Sequence, residues 1–223
     1  MTDNRMITVK GVAKLTLPPD ETAVRIGLTG TDADYRCTVE QSAEDFQEVR
    51  EALEALGFGN DDLKTTRFDI SPKREQVRGD DHEWKWEQTG FQYRHDAVLV
   101  FNIDNEKLGQ VLHALSQCES HPAIDVDFGL HDEGTAKDLL ITTAVHDAAR
   151  KAQALAKAAD VTLGEIADIE YSWTDIEFRS TLMSYDSVPA AAECFDAPHL
   201  LDMDITPDDI KVSDSVVVRW RIE

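Results

Sequence analysis

Basic residues are scarce in this sequence. Lys+Arg total 22 against 44 Asp+Glu, a formal net charge of −22. A surface of that sign repels phosphate backbones and anionic lipid head groups. No basic stripe offsets it: the nearest run, Lys73, Arg74 and Arg78, is interrupted by Glu75 and followed by Asp80 and Asp81. Nucleic acid is therefore not an expected partner. The plain reading of the acidity is a solvated surface that aids solubility. The excess of Asp over Glu and the scarcity of Lys also fit a host with a saline cytoplasm.

Cysteine is equally sparse. Cys37, Cys118 and Cys194 are odd in number and widely spaced, which argues against a disulfide framework or a zinc knuckle and for reduced, mostly buried thiols. No apolar run approaches transmembrane length. The N-terminus has no charged segment followed by an apolar one, so a cytoplasmic location without a membrane span is expected. Sequence signatures of catalysis are missing as well. There is no Gly-x-Ser-x-Gly elbow, no phosphate loop and no His-Glu-x-x-His pair among the seven histidines. Gly57-Phe58-Gly59 is followed by Asn60-Asp61-Asp62, whose carboxylates would repel a phosphate, so a helix C-cap explains it better. No catalytic residue and no cofactor is assigned.

Apolar residues are nevertheless spread along all 223 positions, enough for a core without disulfides or metal. Residues 7–17 alternate through Ile7, Val9, Ala13, Leu15 and Leu17, and residues 22–30 through Val24, Ile26 and Leu28. Both read as half-buried strands, joined as a hairpin by Pro18-Pro19-Asp20. Phe46, Val49, Leu53 and Leu56 predict a helix over 41–57. The register shift between Leu63 and Phe68 predicts a bulged strand. A long hairpin turns at Gly79-Asp80-Asp81 and returns through Phe91, Tyr93, Ala97, Leu99, Phe101 and Ile103. Val98 and Val100 on the opposite face suggest a second half covered on both sides.

Asp104 or Asn105 can cap the next helix. Residues 123–131 predict a strand, Thr135–Asp160 a long Ala-rich helix, Ile166–Trp173 a strand and Ile210–Ile222 a final strand. Residues 176–208 read as an irregular acidic flap. Strands and helices do not alternate one-for-one, so the expected class is α+β: an antiparallel or mixed sheet packed by helices.

These landmarks together resemble the SIMPL-domain family, which includes the YggE-like proteins. Ile7-Thr8-Val9-Lys10-Gly11 with Leu17-Pro18-Pro19-Asp20 is similar to the family's opening strand and turn. Leu63-Lys64-Thr65-Thr66, Ile70-Ser71-Pro72 and Gly90-Phe91-Gln92-Tyr93 resemble later strands. Asp147–Ala156 leading to Leu163-Gly164-Glu165-Ile166 resembles its long helix and the turn after it. The resemblance spans nearly the whole chain and implies a single α+β domain over 1–223. It also implies self-association into ring-like or channel-like homo-oligomers, and roles in envelope or stress physiology or in protein–protein association. It implies no catalytic residues. Asp160 departs from the Gly that often ends the family's helix, and Asp208-Asp209 from its Pro-Gly turn.

Two residue groups merit a functional reading. Asp125, Asp127 and His131 fall on the outward face of one strand, with the carboxylates roughly 7 Å apart. They are metal candidates only if another segment helps, and a solvated strand face is the plainer reading. Trp84 and Trp86 flank Lys85 near a hairpin end and suit either self-packing or a partner. Asp202, Asp204 and Asp208 lack the Gly and Glu of an EF-hand loop. The leading expectation is a non-enzymatic, self-associating protein that acts through protein–protein association. The alternatives are a cation or small-molecule binding module using acidic loops, and an enzyme with an unrecognised carboxylate site.

Overall fold

The computed structural model describes residues 5–78, 84–171, 176, 178–181 and 205–223. These form an α+β architecture of two antiparallel sheets and three helices. The chain divides into two compact units, each discontinuous in sequence.

The first unit draws on residues 1–20, 129–180 and 208–223. Its sheet is ordered β1-β8-β6, with β1 Met6–Leu17, β6 Leu163–Glu170 and β8 Ile210–Ile222. Strict alternation puts Ile210, Val212, Val216, Val218 and Trp220 of the central strand into the core. Helix α3, Glu133–Ala158, is capped by Asp132, whose carboxylate accepts the Thr135 N–H at 2.9 Å. Its buried residues recur every fourth position: Ala136, Leu140, Ala144, Ala148, Ala152 and Ala156. A stripe of alanines lets the helix axis come close to the sheet. The contact is tightest at Gly11, where an added Cβ would collide with the Ala144 carbonyl oxygen.

That closeness also occupies part of an edge. The Val12 N–H, on the side of β1 away from β8, donates to Asp147 of α3 at 3.0 Å, and Lys151 of α3 donates to the Lys10 carbonyl at 3.1 Å. Lys151, the Val12 N–H and Arg150 together hold the Asp147 carboxyl well below the usual carboxylate range. The Val12 donor and the Lys10 acceptor are thus occupied, which hinders strand addition at that point of the edge. At the C-terminus of α3, Asp160 adopts φ +53°, the left-handed conformation that commonly ends a helix.

The second unit holds residues 21–128 and 181–207. Its sheet is ordered β3-β4-β2-β5: β2 Glu21–Asp32, β3 Leu63–Arg78, β4 Trp84–Asn102 and β5 Ala123–Gly129; the short β7, Arg179–Thr181, falls where the two residue ranges meet in sequence. Helix α1, Tyr35–Glu54, starts at Asp34, which accepts the Arg36 N–H at 2.8 Å, and α2, Asn105–Ser116, starts at Asp104, which accepts the Lys107 N–H at 3.0 Å. Between helices and sheet lie Val24, Ile26, Leu28, Val49, Leu53, Leu99, Leu108, Val111, Leu115 and Phe128.

Three expectations need correction. β1 and β2 do not form a hairpin; they belong to different sheets. Proline cannot donate to a ladder, and the Asp20 N–H goes instead to the Gly129 carbonyl at 3.0 Å. Helix α1 begins at Tyr35, six residues early, because the Asp34 cap initiates it through a polar stretch that carries no apolar period. Val100 is 40% exposed, so the second half of β4 is not covered on both faces. The segment 176–208 includes the short strand β7; its residues 177 and 182–204, like the 79–83 tip, lie outside the described residues. The bulge predicted near Leu63–Phe68 is present, between Thr65 and Arg67.

Replacing Gly11 by Ala would force a methyl group into the Ala144 backbone. Overpacking of this kind costs about 1–3 kcal/mol or more. Thermal unfolding should show a clearly lowered midpoint for G11A, and an unchanged midpoint would contradict the close approach described.

Candidate functional site

Strand β4 organises the polar groups of the second unit. Tyr93 faces inward opposite Gly30, where any side chain would collide with the tyrosine ring. The ring crosses that gap and its hydroxyl donates to the Asp45 carboxylate on α1. Burial, reinforced by Asp45, pushes the Tyr93 hydroxyl well above its ordinary pKa, so it stays a proton donor.

Two residues along, His95 is 8% exposed. Its ring stacks on Phe46 at 4.1 Å and meets the edge of Phe68 at 5.1 Å, and its Nε2 lies 2.9 Å from the Thr65 hydroxyl. Burial lowers its pKa, opposed by Asp96 and assisted by Arg50. Nδ1 has no hydrogen-bond partner among the described residues. A hydroxyl beside an imidazole has the outline of a nucleophile and base, but the third group that orients such a base is missing among the described residues. The pair therefore reads as polar packing inside the core. A polar residue at the register of an apolar strand face was the sequence signal for it.

Helix α1 turns an acidic stripe outward: Glu40, Glu44, Glu48 and Glu51 at helical spacing. Glu48 also accepts the Glu119 and Ser120 N–H groups at 2.6 and 3.1 Å. These donors, with the Ser120 hydroxyl, lower its pKa. Two shallow, open hollows share Glu44 and Glu48, and one of them is lined by α1 alone.

Asp125 and Asp127 share a partner that sequence reading missed. Arg25 of β2 lies 2.5 Å from Asp127 and 3.8 Å from Asp125. Asp127 is buried, so its charge needs that guanidinium, and the pair of carboxylates already faces a cation. His131 lies beyond the end of β5, in the first unit, with its N–H donated to Asp20 at 2.7 Å. No metal-binding group of three or more His, Cys, Asp or Glu occurs among the described residues. Cys118 is buried as expected, whereas Cys37 is exposed on the first turn of α1; Cys194 lies outside the described residues.

Trp84 and Trp86 occupy the far end of the β3–β4 ribbon, opposite Arg78 and Gln76. They are 66% and 67% exposed. The register shift at Lys73/Arg74 places one extra residue in β4, so both indoles fall on the face that carries Tyr93. Across the ribbon, Arg74 and Gln76 continue the same face. Lys73 and Glu75 lie on the reverse, paired at 3.0 Å. Among the described residues, the tryptophan face of the ribbon bears an exposed arginine and no carboxylate.

No described helix is long and apolar enough to cross a membrane. The model of the SIMPL family, a protein of unknown function (DUF541), matches residues 7–220 and bears out the resemblance seen in the sequence. No curated protein matches the chain.

The buried histidine sets a pH dependence. Its folded pKa lies below the ordinary 6.5 of the unfolded chain, so as pH falls through about 6.5 the unfolded state takes up a proton first. Stability is therefore lost on acidification, by at most about 1.4 kcal/mol per pH unit for this one group. Urea unfolding at pH 7.5 and 5.5 should show a smaller drop for His95→Gln than for the wild type; equal drops would refute the assignment.

Proposed function

We propose that this chain, which belongs to the SIMPL family, is a non-enzymatic protein that associates with copies of itself and acts through protein–protein contacts. One observation carries the reading: two closely spaced tryptophans stand two-thirds exposed on one face of a projecting ribbon. A single exposed apolar residue means little, but an indole pair can withdraw on the order of 150–250 Å² per ring, and tryptophan is among the residues most enriched as interface anchors. The first unit adds a smaller patch, where edge strand β6 leaves Ile166 and Ile169 half exposed. Three polar groups of the second unit have structural partners: His95 with Thr65, Tyr93 with Asp45, Asp127 with Arg25.

Size exclusion coupled to light scattering, in low and in molar salt, tests the reading. The wild type should run as a discrete oligomer, and the Trp84→Ala/Trp86→Ala double variant should shift toward monomer with an unchanged melting temperature. Wild-type monomer under both conditions would overturn it.

A further inference from the structure

The direction of α1 relative to the ribbon says what the tryptophans dock on. Tyr35, at the start of α1, packs edge-on against Phe91, and Phe46 stacks on His95. The helix therefore advances along β4 in the direction of rising residue number, away from the ribbon. From Phe91 back to Trp86 is five residues, roughly 17 Å of strand. From Tyr35 forward to Glu44 is nine residues, roughly 14 Å of helix. The two stretches run in opposite directions from one point, so the indoles and the acidic stripe sit about 30 Å apart within one chain. Neither can reach the other intramolecularly.

They are nonetheless complementary. The ribbon face offers Trp84, Trp86 and an exposed Arg74 that no described carboxylate pairs. The stripe offers Glu40, Glu44, Glu48 and Glu51 beside its two hollows, one of which is also lined by Ala43. Both are open to solvent, and one is walled by α1 residues alone. On a chain of net charge −22, a face that bears an arginine and, among the described residues, no carboxylate is where an acidic surface meets less repulsion than elsewhere.

We infer that the Trp84/Trp86/Arg74 face of one copy docks on the Glu44–Glu51 stripe of α1 in a second copy. This rests on the self-association reading and names the partner surface for it. The contact joins two different surfaces, so two copies can satisfy both reciprocally, and larger assemblies can use them head to tail.

Charge reversal tests it. Arg74→Glu alone and Glu44→Lys/Glu51→Lys alone should each raise the apparent Kd about tenfold or more, read by light scattering. An equimolar mixture of the two should recover the wild-type mass, because each ribbon then meets a stripe of opposite sign. That recovery also shows both variants are folded. If Glu44→Lys/Glu51→Lys assembles like the wild type while Trp84→Ala/Trp86→Ala does not, the chain self-associates through a ribbon contact of another kind and this inference falls. A monomeric wild type removes both.

Discussion

A strand is longer than a helix of the same residue count, and the second unit is built around that mismatch. β4 has 19 residues and α1 has 20. Extended, the strand covers about 60 Å, whereas the helix covers about 30 Å. A single helix laid along β4 can therefore bury only about half of it. The half it covers holds Tyr93, His95, Ala97 and Leu99. The other half pairs with β3 and projects with its indoles uncovered. Buried core and exposed indole pair are two ends of one strand, separated by the bulge opposite Lys73 and Arg74.

The acidity serves structure as well as solubility. Asp34, Asp104 and Asp132 cap the three helices, and negative groups there also meet the positive end of the helix dipole. Asp147 and Glu48 take backbone N–H groups that no strand or helix satisfies. Several of the few basic side chains are correspondingly engaged: Arg25 with Asp125 and Asp127, Arg219 with Asp168 and Glu170, Lys151 with Asp147.

Sheet edges are treated differently in each case. β1 is hindered at one point by α3 through Asp147 and Lys151. β6 is interrupted by register shifts on both sides of Ile166 and carries Glu165, Asp168 and Glu170, which discourage strand addition. β3 is an edge with its own bulge at Thr65/Arg67.

The sequence by itself determined the class, most elements and their order, and the family. These follow from local periods: two for strands such as Ile210–Ile222, near four for α3, with capping aspartates to mark starts. Tertiary structure decided the rest. The period of β1 and β2 is the same whether they pair with each other or with β8 and β4, so the hairpin expectation failed where pairing is nonlocal. Arg25 and Asp127 are about a hundred positions apart, and only the sheet order joins them. Trp84 and Trp86 were visible as candidates, but their exposure depended on where α1 starts and which way it runs. A periodicity records which face a residue takes; what covers that face is settled by segments distant in sequence.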